Sequence, residues 1–130
     1  MNRSAIMRAV RGKDTKPELI VRRFLHKQGY RYRLHDNNLP GKPDLVFKKF
    51  KKVIFINGCF WHGHDCKRGA RIPKTNTEYW KKKIENNIRR DRQNMEKLVE
   101  LGWSYLVVWE CELKNKNIIF DRLITFLLSS

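Results

Sequence analysis

The sequence is poor in acid. Thirteen Asp+Glu stand against 29 Lys+Arg, a formal charge of +16. Such self-repulsion in a compact chain makes a polyanion the natural partner, nucleic acid first. The plain alternative is a solvated basic surface without specific meaning. Long apolar runs are also missing: no stretch approaches the roughly 20 residues that span a bilayer, and the N-terminus lacks the apolar core of a secretory leader. A soluble, intracellular, cytoplasmic protein with no membrane partner is expected. There is no internal repeat, no Gly-rich phosphate loop and no Gly-x-Ser-x-Gly elbow, which removes support for nucleotide hydrolysis and α/β-hydrolase chemistry. Cysteine is scarce and odd in number, with three residues that cannot close into disulfides alone. In a reducing compartment a close Cys/His cluster points to metal. A chain of 130 residues with 41% hydrophobic content makes about one domain, residues 1–130.

What is present centres on Pro43 to Cys66. Leu45-Val46-Phe47 and Val53-Ile54-Phe55-Ile56 are short apolar runs around a lysine-rich turn, the pattern of a hairpin, with Asp44 at the mouth of its first strand. Directly after it, Cys59 to Cys66 packs two cysteines, two histidines and an aromatic pair into one loop. A carboxylate is thereby expected close to a metal-binding loop.

Around this centre the chain reads in order. Residues 1–13 are basic with scattered Ile6, Met7 and Val10, a short helix or an arm that orders on its ligand. Thr15-Lys-Pro-Glu18 has the form of a capping box, followed by Ile20, Val21, Phe24 and Leu25 on one helical face and a stop at Gly29. Glu18 is therefore either a helix-start residue or an acidic group of the active site. Tyr30 to Leu34 suggests a strand, and Asn37 to Pro43 a loop. From Asn76 to Leu101 the spacing predicts a long helix with Trp80, Ile84, Ile88, Met95 and Leu98 on one stripe, ended by Gly102. Asp91 occupies the stripe position between Ile88 and Met95. A carboxylate there needs a partner, either a structural arginine such as Arg31 or Arg33 or a catalytic histidine that it orients. Ser104 to Trp109 reads as a buried strand that delivers Cys111, and Ile118 to Leu128 as a last helix. This order of elements indicates an α/β domain with a mixed sheet flanked by helices.

A closed structural zinc site takes four N/S ligands, and Cys59, Cys66 and Cys111 with one histidine would supply them. Three ordinary buried thiols are the alternative. Spacing does not choose between His62 and His64, and it leaves one histidine over.

Leu39-Pro-Gly-Lys-Pro-Asp-Leu-Val46, Gly58-Cys-Phe-Trp-His-Gly-His-Asp-Cys66, Asn87-Ile-Arg-Arg-Asp-Arg92, Leu101-Gly-Trp103 and Val108-Trp-Glu-Cys111 together resemble the very short patch repair endonucleases. Arg3-Ser-x-x-Met7-Arg-Ala-Val10 and Thr15-x-x-Glu18 extend the resemblance over nearly the whole chain. It implies a restriction-endonuclease-like fold with a structural zinc site, in a monomer that acts on double-stranded DNA near the nucleoid. It also implies a Mg2+-dependent nick on the 5′ side of the thymine of a T:G mismatch, and mismatch-repair helper proteins as further partners.

The resemblance assigns the zinc ligands to Cys59, His64, Cys66 and Cys111, and leaves His62 for catalysis. It implies that Asp44 binds the catalytic metal, that His62 is the base on the attacking water, and that Asp91 is the partner of His62. Phe60, Trp61 and Trp80 match residues that wedge into the base stack, and Met7 one that enters from the opposite groove. One departure stands out: the family commonly has Thr-His where this chain has Ile56-Asn57. If residue 56 serves the catalytic Mg2+ only through its main-chain carbonyl, Ile56 is harmless; if the side chains at 56 and 57 help hold phosphate or water, with Asn57 against DNA, activity or specificity differs. The alternatives are a zinc-stabilised DNA-binding protein without cleavage, which the Ile56-Asn57 change would favour, and a related nuclease of another lesion or site.

Overall fold

The computed structural model describes residues 15–59, 62, 64, 66 and 73–129. The N-terminal arm with Met7, and the wedge candidates Phe60 and Trp61, lie outside the described residues. The chain divides into two compact units, Met1–Arg31 and Tyr32–Ser130.

The described part of the first unit is helix α1, Lys16–Lys27. Thr15 is its N-cap, with its hydroxyl oxygen accepting from the Glu18 amide at 3.4 Å, and Pro17 falls in the first turn, where a missing N–H does no harm. Val21 and Leu25 are buried, as the helical spacing predicts. Gly29 stops the helix at φ +93°: its amide donates to the His26 carbonyl and that of Tyr30 to the Leu25 carbonyl, a Schellman pair that only a left-handed residue closes.

The second unit is built on a four-stranded sheet in the order β1-β2-β3-β4: β1 Arg33–Leu34, β2 Leu45–Phe47, β3 Lys52–Asn57 and β4 Ser104–Trp109. The first three strands pair antiparallel and β4 runs parallel to β3, the mixed sheet expected. Helix α2, Thr77–Glu100, makes the crossover from β3 to β4, and a 3-10 helix, Glu110–Lys114, leads into α3, Lys116–Leu128. All of β2 is buried, the mark of a strand covered on both faces. On one face Val46, Val53 and Phe55 pack with Leu98 of α2, edged by Leu39, Met95, Trp103 and Val107. Gly102, at φ +86°, ends α2 with a second Schellman pair, and Trp103 returns to cover Leu98.

The opposite face carries Lys52, which the sequence places in the basic turn and the structure makes the first residue of β3, buried at 5% exposure. Its ammonium donates to the carbonyls of Phe126 at 2.7 Å, Leu127 at 3.3 Å and Ser129, and to the Ser129 hydroxyl at 3.1 Å. A positive charge on the orphan carbonyls at the end of α3 satisfies both the helix dipole and the buried lysine. Lys52→Met is therefore expected to lower stability by about 1–3 kcal/mol, read as a shifted denaturant midpoint at unchanged slope.

Two expectations need correction. The strand read over Tyr30 to Leu34 is only Arg33–Leu34, and β4 is not a buried strand: only Val108 is fully buried and Tyr105 is 38% exposed. The reason is position, since β4 is the edge of the described sheet.

Candidate active site and metal centre

Asp44 is held from two sides. Leu39-Pro40-Gly41-Lys42 forms a turn closed by the Lys42 amide on the Leu39 carbonyl at 3.1 Å, with Pro40 second and Gly41 third at φ +80°, a type II turn. Gly41 also lies against Phe55 and Asn94, where an added Cβ would meet Phe55 Cε1 at 3.0 Å. The turn delivers Asp44 one residue before β2. Its Oδ2 accepts from the Ile56 amide on β3 at 2.7 Å, and its carbonyl accepts from the His35 amide at 3.1 Å. The link to Ile56 is made by main chain, so the identity of that side chain does not enter it.

His62 and Asp91 meet, although 29 residues separate them: Nδ1 lies 2.6 Å from Asp91 Oδ2, and each side chain is a little over a quarter exposed. A carboxylate only accepts, so Nδ1–H donates and Nε2 is left with its lone pair. Of the two partners considered for Asp91, the structure pairs it with the histidine. The α2 stripe explains how a carboxylate sits there without a burial penalty. Ile84 and Leu98 are buried, whereas Ile88, between them, is 37% exposed. The middle of the stripe faces a groove of about 780 Å3 between α2 and β4, with Asn57, His62 and Asp91 among its lining residues.

The thiols converge as well. One ligand atom from each of Cys59, His64, Cys66 and Cys111 lies within 4.8 Å of all the others. Three thiols and an imidazole suit a borderline cation of four N/S ligands, and do not suit Mg2+, which seeks oxygen. Cys59 is fully buried just past β3, and its amide donates to Glu110 Oε1 at 3.2 Å; Cys111 follows β4, with Sγ 3.5 Å from His64 Nδ1. Burial, first, and the neighbouring cysteines push the Cys59 thiol up to about 12, and burial likewise raises Cys111. Thiols that resist ionising beside one another are what a bound cation reverses.

Trp109 stands between the two histidines. Its ring stacks on His64 with centroids 4.2 Å apart and 19° between planes, and meets His62 edge-on at 6.2 Å and 71°. Its amide donates to Glu112 Oε1 at 2.9 Å, and Arg122 Nη1 donates to Glu112 Oε2 at 2.6 Å, so α3 fixes the end of β4. The sequence reading recognised Trp109 and Glu110 only as motif letters; the parallel register that sets Asn57 opposite Trp109 is what gives them places at the site.

Two other predicted site residues are not among the lining of that groove. Trp80 sits in the first turn of α2, edge-on to Tyr79 at 5.2 Å. It is about 16 Å along the helix axis from Asp91. Glu18 is buried in the first unit at 2% exposure, its carboxylate accepting from Arg22 Nη1 at 3.0 Å.

Residues 1–68 match the family model described as DNA mismatch endonuclease Vsr. The chain belongs to the Vsr family. Over 121 residues it is 52% identical to the type II nicking enzyme V.NmeAIP of Neisseria meningitidis serogroup A, covering 93% of this chain and 86% of that one. It is 47% identical over 121 residues to the type II nicking enzyme V.XorIIP of Xanthomonas oryzae pv. oryzae, covering 93% and 88%. With the DNA mismatch endonuclease Vsr of Escherichia coli it shares 43% identity over 123 residues, covering 95% and 78%. Each of these three relatives is matched over more than nine-tenths of this chain. No helix among the described residues is long and apolar enough to cross a membrane.

Proposed function

We propose that this Vsr-family chain is a DNA endonuclease of restriction-endonuclease-like fold that nicks a duplex 5′ to the thymine of a T:G mismatch, with Mg2+ as its catalytic ion and zinc in the Cys3His cluster. The observation that carries the reading is the His62–Asp91 pair at 2.6 Å, lining one groove with Asn57, next in the chain to the residue whose amide holds Asp44. A divalent cation bound at Asp44 would neutralise charge on the scissile phosphate and make water easier to ionise. His62 Nε2 takes a proton from the attacking water. Asp91 keeps Nδ1 protonated, so that Nε2 is the basic nitrogen, and stabilises the imidazolium that results. Asn57 contributes a polar side chain to the groove, and the +16 charge draws the DNA to it. Phe60, Trp61, Trp80 and Met7 are the proposed stacking and groove contacts, and Glu18 an acidic group of the site.

The hold on Asp44 is indifferent to the Ile56 side chain, because it is made through the Ile56 amide, which any residue but proline offers. A second reading has support of its own: relatives at 52% and 47% identity are named nicking enzymes. Under it, the mismatch is read within a sequence context that this chain sets. Incubation of end-labelled T:G, G:T and T:A duplexes in several flanking contexts with Mg2+ distinguishes them. A nick 5′ to the mismatched thymine in every context supports the first, and in one context only the second. Equal cleavage of paired and mismatched DNA, or none, would overturn both.

Trp109 provides a smaller test. Its ring flanks a proposed zinc ligand and a proposed base, so Trp109→Ala is expected to lower the single-turnover nicking rate roughly 10-fold or more, with Trp109→Phe restoring much of it. Unchanged rates in both variants would make Trp109 simple packing.

A further inference from the structure

His35 had no role in the sequence reading, yet it faces Asp44. The pairing Leu34↔Leu45 sets His35 opposite Asp44, one step beyond the ladder. Its backbone is left-handed at φ +53°, a conformation that L residues seldom hold and that recurs at functional sites. The imidazole Nδ1 lies 3.9 Å from Asp44 Oδ1, with both side chains largely shielded, at 15% and 23% exposure. Oδ2 of the same carboxylate is committed to the Ile56 amide. The separation is too long for a hydrogen bond. It suits two donors of one cation, which at about 2.1 Å each from the ion stand roughly 3 to 4 Å apart.

We propose that His35 is a ligand of the catalytic divalent cation, sharing it with Asp44 Oδ1. The inference rests on Asp44 being that cation's carboxylate. Its consequence is metal preference. Mg2+ takes oxygen ligands and keeps its waters, whereas Mn2+ and Co2+ accept an imidazole nitrogen more readily than Mg2+ does. The site should therefore bind Mn2+ more tightly than a carboxylate and main-chain oxygens alone would.

The test uses the full-length, zinc-loaded protein with Mn2+ as probe, followed by electron paramagnetic resonance. Wild type is expected to bind Mn2+ with a nitrogen hyperfine coupling that shifts when the protein is made with isotopically relabelled histidine. His35→Asn, which tolerates the left-handed backbone, should lose that coupling and weaken Mn2+ binding roughly ten-fold or more. It should also lower the ratio of nicking rates in Mn2+ and Mg2+. The relabelling needs no variant, so a misfolded His35→Asn does not rescue or sink the idea. Bound Mn2+ without histidine coupling, or coupling that survives in His35→Asn, overturns the proposal while the reading of Asp44 stands. Mn2+ binding that is unaffected by Asp44→Asn shows instead that the reading of Asp44 itself has failed.

Discussion

A chelator strong enough to strip the proposed zinc from Cys59, His64, Cys66 and Cys111 is expected to unfold the second unit, not merely silence it. The four ligands come from separate places: Cys59 just past β3, His64 and Cys66 in the following loop, Cys111 in the 3-10 helix after β4. One ion would tie the ends of the two parallel strands and the loop between them. Structural zinc supplies on the order of 10 kcal/mol, against a total stability of about 5–15 kcal/mol for an ordinary domain. Its loss therefore removes most or all of the margin. The pH dependence has a definite sign. Zinc binds thiolates, and the folded protein holds the metal-free Cys59 thiol up to about 12, mainly by burial. Binding must displace protons, so zinc affinity falls as pH is lowered and acid releases the metal. Elemental analysis should find about one zinc per chain, and circular dichroism during chelation should show cooperative loss of structure. A folded, zinc-free protein with three reactive thiols would contradict the zinc assignment.

Replacing His62 with Ala should slow single-turnover nicking by roughly a hundred- to ten-thousand-fold. Asp91→Ala should lose somewhat less, since water can still deprotonate through a poorly oriented imidazole. The double variant should be no slower than His62→Ala alone, because the carboxylate acts on the chemistry through the imidazole 2.6 Å away. Zinc content should stay the same in all three, as His62 is not among the clustered ligands. Losses that multiply would mean that Asp91 serves another group. Loss of zinc in His62→Ala would mean that the two histidines exchange roles.

Local order was readable from the chain to a degree that specific residues illustrate. The helix read over Asn76 to Leu101 is Thr77–Glu100, and both glycine stops, Gly29 and Gly102, take the left-handed conformation that ends a helix. The hairpin strands fall at Leu45–Phe47 and Lys52–Asn57, around the lysine-rich turn. These features depend on neighbours within a turn or two, where apolar spacing and backbone preference act directly. The ligand types of the metal cluster were also legible, since borderline donors concentrated in one loop have little other use. The choice of His64 over His62 came from the family resemblance, and the fold brings the same four residues together.

Tertiary structure alone decided the rest. Lys52 reads as turn and is a buried clamp on α3, because the carbonyls that need it belong to residues 74 to 77 positions further on. Asp91 reads as a carboxylate on an apolar stripe, and only the exposed edge position of β4 opens a groove that keeps it wet and brings His62 to it. His35 carries no motif signal, and its place opposite Asp44 follows from strand register and a left-handed backbone. The sequence by itself determined the elements, the stops and the chemical kinds of the reactive groups, which are properties of short-range sterics and composition. Which of those groups touch was decided by register and crossover, because contacts between residues far apart in the chain leave no period in the sequence.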